Sequence, residues 1–161
     1  MKVTKKKLDA YYKQALAVAD QSHDSETKVG ALLIHGRTGA VISSGFNGFV
    51  RGADDTKLPN TRLDKYPYMV HAETNLVTNC ARHGISTEGC FLFCTLSPCI
   101  NCMRLLYQAG ISMVFFKDVY RDFNKNINMK DMHIKVSEIE DYYAAALEPR
   151  GVPKNEDLED K

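Results

Sequence analysis

The sequence predicts an α/β domain in which helices pack on a mixed sheet. Three observations carry that expectation. The chain has 161 residues, 44% of them hydrophobic, enough for one well-buried core and too few for two ordinary domains. Its apolar pattern opens helical, turns to short strand-like runs, and then alternates helix with strand. Glycine and proline fall at the joints between these runs.

Each element follows from its residues. Leu8, Tyr11, Tyr12, Ala15, Leu16 and Ala19 share one helical face, which predicts a helix over residues 4–20. Residues 21–28 are polar and read as a loop. Apolar runs at 29–35 and 40–44 flank Gly36-Arg37-Thr38-Gly39 and predict an antiparallel hairpin. Gly45-Phe46-Asn47-Gly48 then suits a sharp bend or a close approach to a ligand. Residues 51–68 are polar, contain Pro59 and Pro67, and predict a long loop of the functional or mobile kind. A second helix is expected over 71–82, burying Leu76, Val77 and Cys80 and ending at Gly84. A strand over 90–95 precedes a third helix, opened by Pro98 and ending near Gly110. Another strand covers 111–116, parallel to its predecessor through a crossover. Ser137 with Glu140 matches a capping box, and Ile139, Tyr142, Tyr143 and Ala146 continue a helical face. The expected organisation is one domain over residues 1–147 and a charged, mobile tail over 148–161, which holds Pro149 and Pro153.

Composition narrows the function classes. No stretch approaches the ~20 apolar residues of a membrane span. The basic N-terminus lacks a signal peptide's apolar core, so a cytoplasmic, membrane-free protein is expected. Net charge is +1, which argues against a large electrostatic grip on nucleic acid. Five cysteines, an odd number, do not read as a disulfide framework. Cys80, Cys90 and Cys94 fit core patterns, and His23, His35, His83 and His133 show no ligand spacing.

Two short motifs carry the chemistry. His71-Ala72-Glu73 stands at the start of the second predicted helix, and Pro98-Cys99-Ile100-Asn101-Cys102 at the start of the third. Cysteines three apart on a helical turn point the same way and can share one ion. Helix N-termini favour thiolates. With His71 they make three ligands, whose two thiolates and neutral imidazole balance a Zn2+ ion. Three protein ligands leave one tetrahedral position for water, whose pKa zinc lowers to about 7. Glu73 is then free to act as the proton shuttle. Each motif alone is weak. In this order, 28 residues apart with a strand between, they match the zinc deaminase signature.

On these residues the chain resembles the cytidine deaminase superfamily, and within it the deoxycytidylate (dCMP) deaminases, over residues 22–122. Lys28-Val29-Gly30-Ala31, Gly45-Phe46-Asn47-Gly48 and Lys65-Tyr66-Pro67-Tyr68-Met69-Val70-His71-Ala72-Glu73 carry the narrower resemblance. His71 sets the chain apart from free-nucleoside deaminases, which usually place cysteine there. The resemblance implies a cytidine-deaminase-like three-layer fold, with a five-stranded mixed sheet and helices on both faces. It implies hydrolysis of dCMP to dUMP and ammonia. Glu73 passes protons from water to N3 of cytosine and to the leaving amine. Asn47 is implied to touch the sugar, Ala72 and Ser97 to contact substrate, and Tyr120 and Arg121 to meet the phosphate. A hexamer switched on by dCTP and off by dTTP is implied too. Lys28, Arg51, Asp54 and Asp55 are its candidate effector contacts, with Mg2+ accompanying the triphosphate. Val50 stands where the family often has proline, and with Arg51 this departure raises dCTP as a second substrate. Two other readings stay open. A tRNA adenosine deaminase would share the zinc chemistry but need a basic groove. A structural zinc module would need a fourth protein ligand and no Glu73.

Overall fold

The protein's computed structural model describes residues 1–120, 123 and 132–148. Helix α1 (Lys5–Ala19) is capped by Thr4, whose side chain accepts the Lys7 N–H. It buries Leu8, Tyr11, Ala15 and Ala19, while Leu16 from the expected stripe stays 42% exposed. Strands β1 (Gly30–Ile34) and β2 (Val41–Phe46) form the expected hairpin. Helix α2 (Ala72–His83) follows the long loop and ends on Gly84 in the left-handed conformation. Strand β3 (Phe91–Leu96) leads to helix α3 (Ile100–Gln108) and then to strand β4 (Met113–Asp118).

The sheet corrects two expectations. It has six strands rather than five, in the order β2-β1-β3-β4-β6-β5. The segment read as a C-terminal helix is instead a hairpin of β5 (Ile134–Ile139) and β6 (Tyr142–Leu147), and Glu140 in its turn adopts a positive φ of 53°. The apolar pattern of 139–147 satisfies both periods. Tyr142, Ala144, Ala145 and Leu147 are all buried, as a strand sandwiched between two layers requires. Strand β4, buried at Val114, Phe115 and Phe116, needs a partner along its free edge, and antiparallel β6 supplies it. The capping-box residues Ser137 and Glu140 therefore serve a strand and a turn. β3 and β4 are parallel, as expected, whereas β1–β3, β4–β6 and β5–β6 are antiparallel.

The sheet separates two cores, and alternate residues face each. Leu32, Ile34, Phe93, Phe115 and Tyr142 pack under α1 with Leu8, Tyr11 and Ala15. Ala31, Leu33, Leu92, Cys94, Val114 and Phe116 pack under α2 and α3 with Leu76, Cys80, Met103 and Leu106. The three-layer architecture with helices on both faces is thus present. Two glycines set the layer spacing. A Cβ on Gly30 would collide with the Ala15 carbonyl of α1. One on Gly45 would lie 2.5 Å from the Ala72 carbonyl and 2.6 Å from the Leu76 nitrogen of α2. α2 consequently rests directly on the β2 backbone. Among the described residues no helix is long and apolar enough to cross a membrane.

Candidate active site

The site lies beyond the carboxyl ends of β3 and β4, where the N-termini of α2 and α3 come together. His71 and Cys99 are the N-cap residues of those helices, both in extended backbone (ψ 154° and 169°), and neither side chain caps its own helix. Both are left free to turn toward a common point. The third helix starts at Ile100 rather than at Pro98, which leaves Cys99 as its cap and Cys102 in its first turn. His71 Nδ1 lies 3.5 Å from Cys99 Sγ and 3.4 Å from Cys102 Sγ, and the three donor atoms all fall within 4.8 Å of one another.

This spacing tests the fit of a metal. Zinc–sulfur bonds of about 2.3 Å and zinc–nitrogen bonds of about 2.0–2.1 Å, at a tetrahedral angle, separate S from N by about 3.5–3.6 Å. The observed separations agree, so the donor set fits zinc in both element type and distance. Hydrogen bonding from Cys102 and from His71 draws the Cys99 thiol well below its usual range, which favours the thiolate a metal requires. Among the described residues the group has three members, with His71 exposed, Cys99 half-buried and Cys102 buried. A closed four-ligand structural site would need another.

Glu73, the second residue of α2, is 4% exposed, and burial raises its carboxyl above the usual range. The Cys94 thiol donates to Glu73 Oε1 at 3.6 Å, and burial keeps that thiol protonated. The sequence reading took Cys94 for a plain core residue. Only the β3 register, which turns Cys94 toward α2, shows the contact.

A cavity of about 350 Å³ opens in front of the triad, within the usual range for small-ligand sites. Its wall contains Asn47, Ala72, Ser97 and Tyr120, all expected as substrate contacts. The Ser97 hydroxyl accepts the Tyr120 N–H at 2.7 Å, which ties Tyr120 to the end of β3. Asn47 is nearly saturated by the protein: its Oδ1 accepts the Val29 N–H at 2.8 Å, and its Nδ2 donates to Thr27 O at 2.9 Å and Asp24 Oδ2 at 3.3 Å. Arg121 lies outside the described residues. The wall also includes Asp24, Arg62, Lys65 and Met69, which the sequence reading did not assign to it. Burial opposes the charge on Asp24, but the Lys65 ammonium and the N–H groups of Thr27 and Glu26 outweigh it and hold the carboxyl below its usual range.

The candidate effector residues do not line this cavity. Lys28 is exposed, and Arg51 donates to Asn79 Oδ1 of α2 at 2.7 Å. Asp54 pairs with Lys57 at 3.2 Å, and Asp55 lies 3.6 Å from His23.

Fold and site together define a three-layer α/β domain with a His/Cys/Cys metal group beside a buried carboxylate. Residues 5–118 match the family described as the cytidine and deoxycytidylate deaminase zinc-binding region. The chain belongs to that family. It is 35% identical over 115 residues to human deoxycytidylate deaminase, covering 67% of this chain and 63% of the relative. A probable deoxycytidylate deaminase of Drosophila melanogaster is 34% identical over 126 residues, covering 71% and 61%. The chain therefore spans less than two thirds of the length of these relatives. The crystal structure of the dCMP deaminase from cyanophage S-TIM5 in complex with dCMP and dUMP superposes with a TM-score of 0.66 and 29% identity, over 74% of this chain and 87% of that one.

Proposed function

We propose that the chain hydrolyses dCMP to dUMP and ammonia, with one zinc ion held by His71, Cys99 and Cys102. The observation that carries this reading is the triad at tetrahedral spacing beside buried Glu73, at the wall of a nucleotide-sized cavity. The naming of the human relative and the dCMP/dUMP complex of the cyanophage enzyme support the substrate. Zinc, when bound, supplies the Lewis acidity that makes water a nucleophile near neutral pH.

The chain's own residues do the rest. Glu73 accepts a proton as water adds to C4 of cytosine and returns it to N3. It then takes the proton of the new C4 hydroxyl and passes it to the exocyclic amine, so that the C4 carbonyl forms as the C4–N bond breaks and ammonia leaves. Burial raises the Glu73 carboxyl above its usual range, which makes it a stronger proton acceptor for this exchange. Cys94 steadies Oε1 from behind. Ala72 and Ser97 border the base, Asn47 meets the sugar through its remaining Oδ1 lone pair, and Tyr120 with Arg121 meets the phosphate.

The same reading extends to a hexamer in the cytosol, regulated by dCTP and dTTP with Mg2+ beside the triphosphate. Lys28, Arg51, Asp54 and Asp55 are its effector contacts, and their position outside the cavity supports a separate role. dCTP as a second substrate rests on Val50 and Arg51. Residues 1–147 are read as the deaminase domain and 148–161 as its tail, of which 149–161 lie outside the described residues.

The test is ammonia release from zinc-loaded protein given dCMP, dCTP, deoxycytidine or an RNA stem-loop, each with and without the triphosphates as effectors. Turnover of dCMP supports the reading, and its response to dCTP or dTTP supports regulation. Activity on the stem-loop alone, or on no free nucleotide, overturns it.

A further inference from the structure

Lys65 is a lysine with its side chain only 4% exposed, in a polar loop whose neighbouring residues 61–64 and 66–68 are exposed. Its ammonium lies 2.8 and 2.9 Å from the two oxygens of Asp24 and 2.9 Å from Glu26 Oε2. The Asp24 side chain is equally buried. Its Oδ1 also accepts the N–H groups of Glu26 and Thr27, at 2.8 and 3.0 Å, and its Oδ2 accepts Asn47 Nδ2. One carboxylate thus joins three pieces of the cavity wall: the segment before β1, the loop before α2, and Asn47 after β2.

The loop is otherwise held to that segment only weakly, among the described contacts. Ser25 donates to Asn60 O at 3.0 Å and Asn60 to His23 O at 3.1 Å, both exposed. Arg62 stands 3.7 Å from Glu26. Yet this loop supplies Arg62, Tyr66 and Met69 to the cavity. An exposed pair at such distances holds little, whereas a buried, multiply bonded pair fixes geometry and is costly to break.

We propose that Asp24 and Lys65 are a positioning pair that sets the nucleotide-facing wall and the Asn47 amide of the cavity that His71 and Cys99 of the metal triad also border. The proposal rests on the reading of this cavity as the nucleotide site. The pair touches neither the triad nor Glu73, so it acts on substrate binding more than on the chemical step.

The test compares the zinc-loaded full chain with Lys65→Met and with Asp24→Asn/Lys65→Met. Each is measured for KM and kcat on dCMP, for Tm, and for the rate of trypsin cleavage after Lys57 and Arg62. Lys65→Met strands the buried Asp24 charge. It should raise KM about tenfold and speed loop cleavage, with kcat changed less than about threefold. The double variant strands no buried charge, Glu26 being 34% exposed, so Tm should recover while KM and cleavage stay raised. If Lys65→Met does not fold, the double variant decides alone. KM returning to the wild-type value in the double variant, or unchanged KM and cleavage in both, overturns the pair's role. Absence of dCMP turnover in the wild type would remove the deaminase reading instead. Cleavage would then decide whether the pair holds the wall: faster sustains it, unchanged overturns it.

Discussion

Glu73 and His71 stand two residues apart and both line the cavity, but Glu73 is 4% exposed whereas His71 is exposed. On the proposed function that contrast separates a proton carrier from a metal ligand, and it yields a clean substitution. Glu73→Gln keeps the volume and removes the proton exchange. Ammonia release should fall by about 10²–10⁴ while metal analysis still finds one zinc per chain. Loss of zinc as well would make Glu73 part of the metal site. At this scale the sequence was legible wherever the chemistry is local. His71, Glu73, Cys99 and Cys102 sit in two short motifs whose spacing reports on helix starts. Lys65 was visible only as part of a family-like stretch, and Asp24 sat in a segment read as plain loop. Their contact joins residues 41 apart, which no local pattern encodes. Cys94 was unreadable for the same reason, since its partner Glu73 is 21 residues away.

At the scale of elements, α2 is the critical piece, because it carries both His71 and Glu73 and rests on Gly45. Gly45→Ala should push the helix off β2, lowering Tm and costing activity beyond the stability loss. Retained activity at a lowered Tm would show that the site tolerates the shift. Leu76, fully buried under the same helix, should cost about 2–5 kcal/mol on truncation to alanine, measured by denaturant unfolding. Helices α1, α2 and α3 and strands β1 to β4 were all legible from periodicity and punctuation, within a residue or two at most ends. The C-terminal hairpin was not. In 139–147 helical and strand periods select overlapping residues, and a capping-box pattern tipped the reading toward helix. The exposed edge of β4 settled the matter, and an edge is a property of the assembled sheet.

For the molecule as a whole, stability should depend on pH through the buried pair. The Asp24 carboxyl is held below its usual value near 3.8, so its contribution is present above that pH and lost as the pH falls through the lowered value. Burial alone would lower Lys65, yet Asp24 and Glu26 hold it above its usual 10.5, so its contribution is present below that pH and lost as the pH rises through the raised value. A Tm profile should show both flanks in the wild type and weaker ones in Asp24→Asn/Lys65→Met. Identical profiles would make the pair irrelevant to folding. Stripping the metal with a chelator should abolish ammonia release and lower Tm, since a ligand bound only by the folded chain stabilises it. The tie between Ser97 and Tyr120 has a wider consequence. It ties Tyr120, two residues after β4, to the residue that follows β3, outside both helices that bear the triad. On the proposed function, the residue that meets the phosphate is therefore held by a different part of the chain from the residues that hold the metal. A change at Tyr120 would then alter which molecule is held while His71, Glu73, Cys99 and Cys102 keep their places.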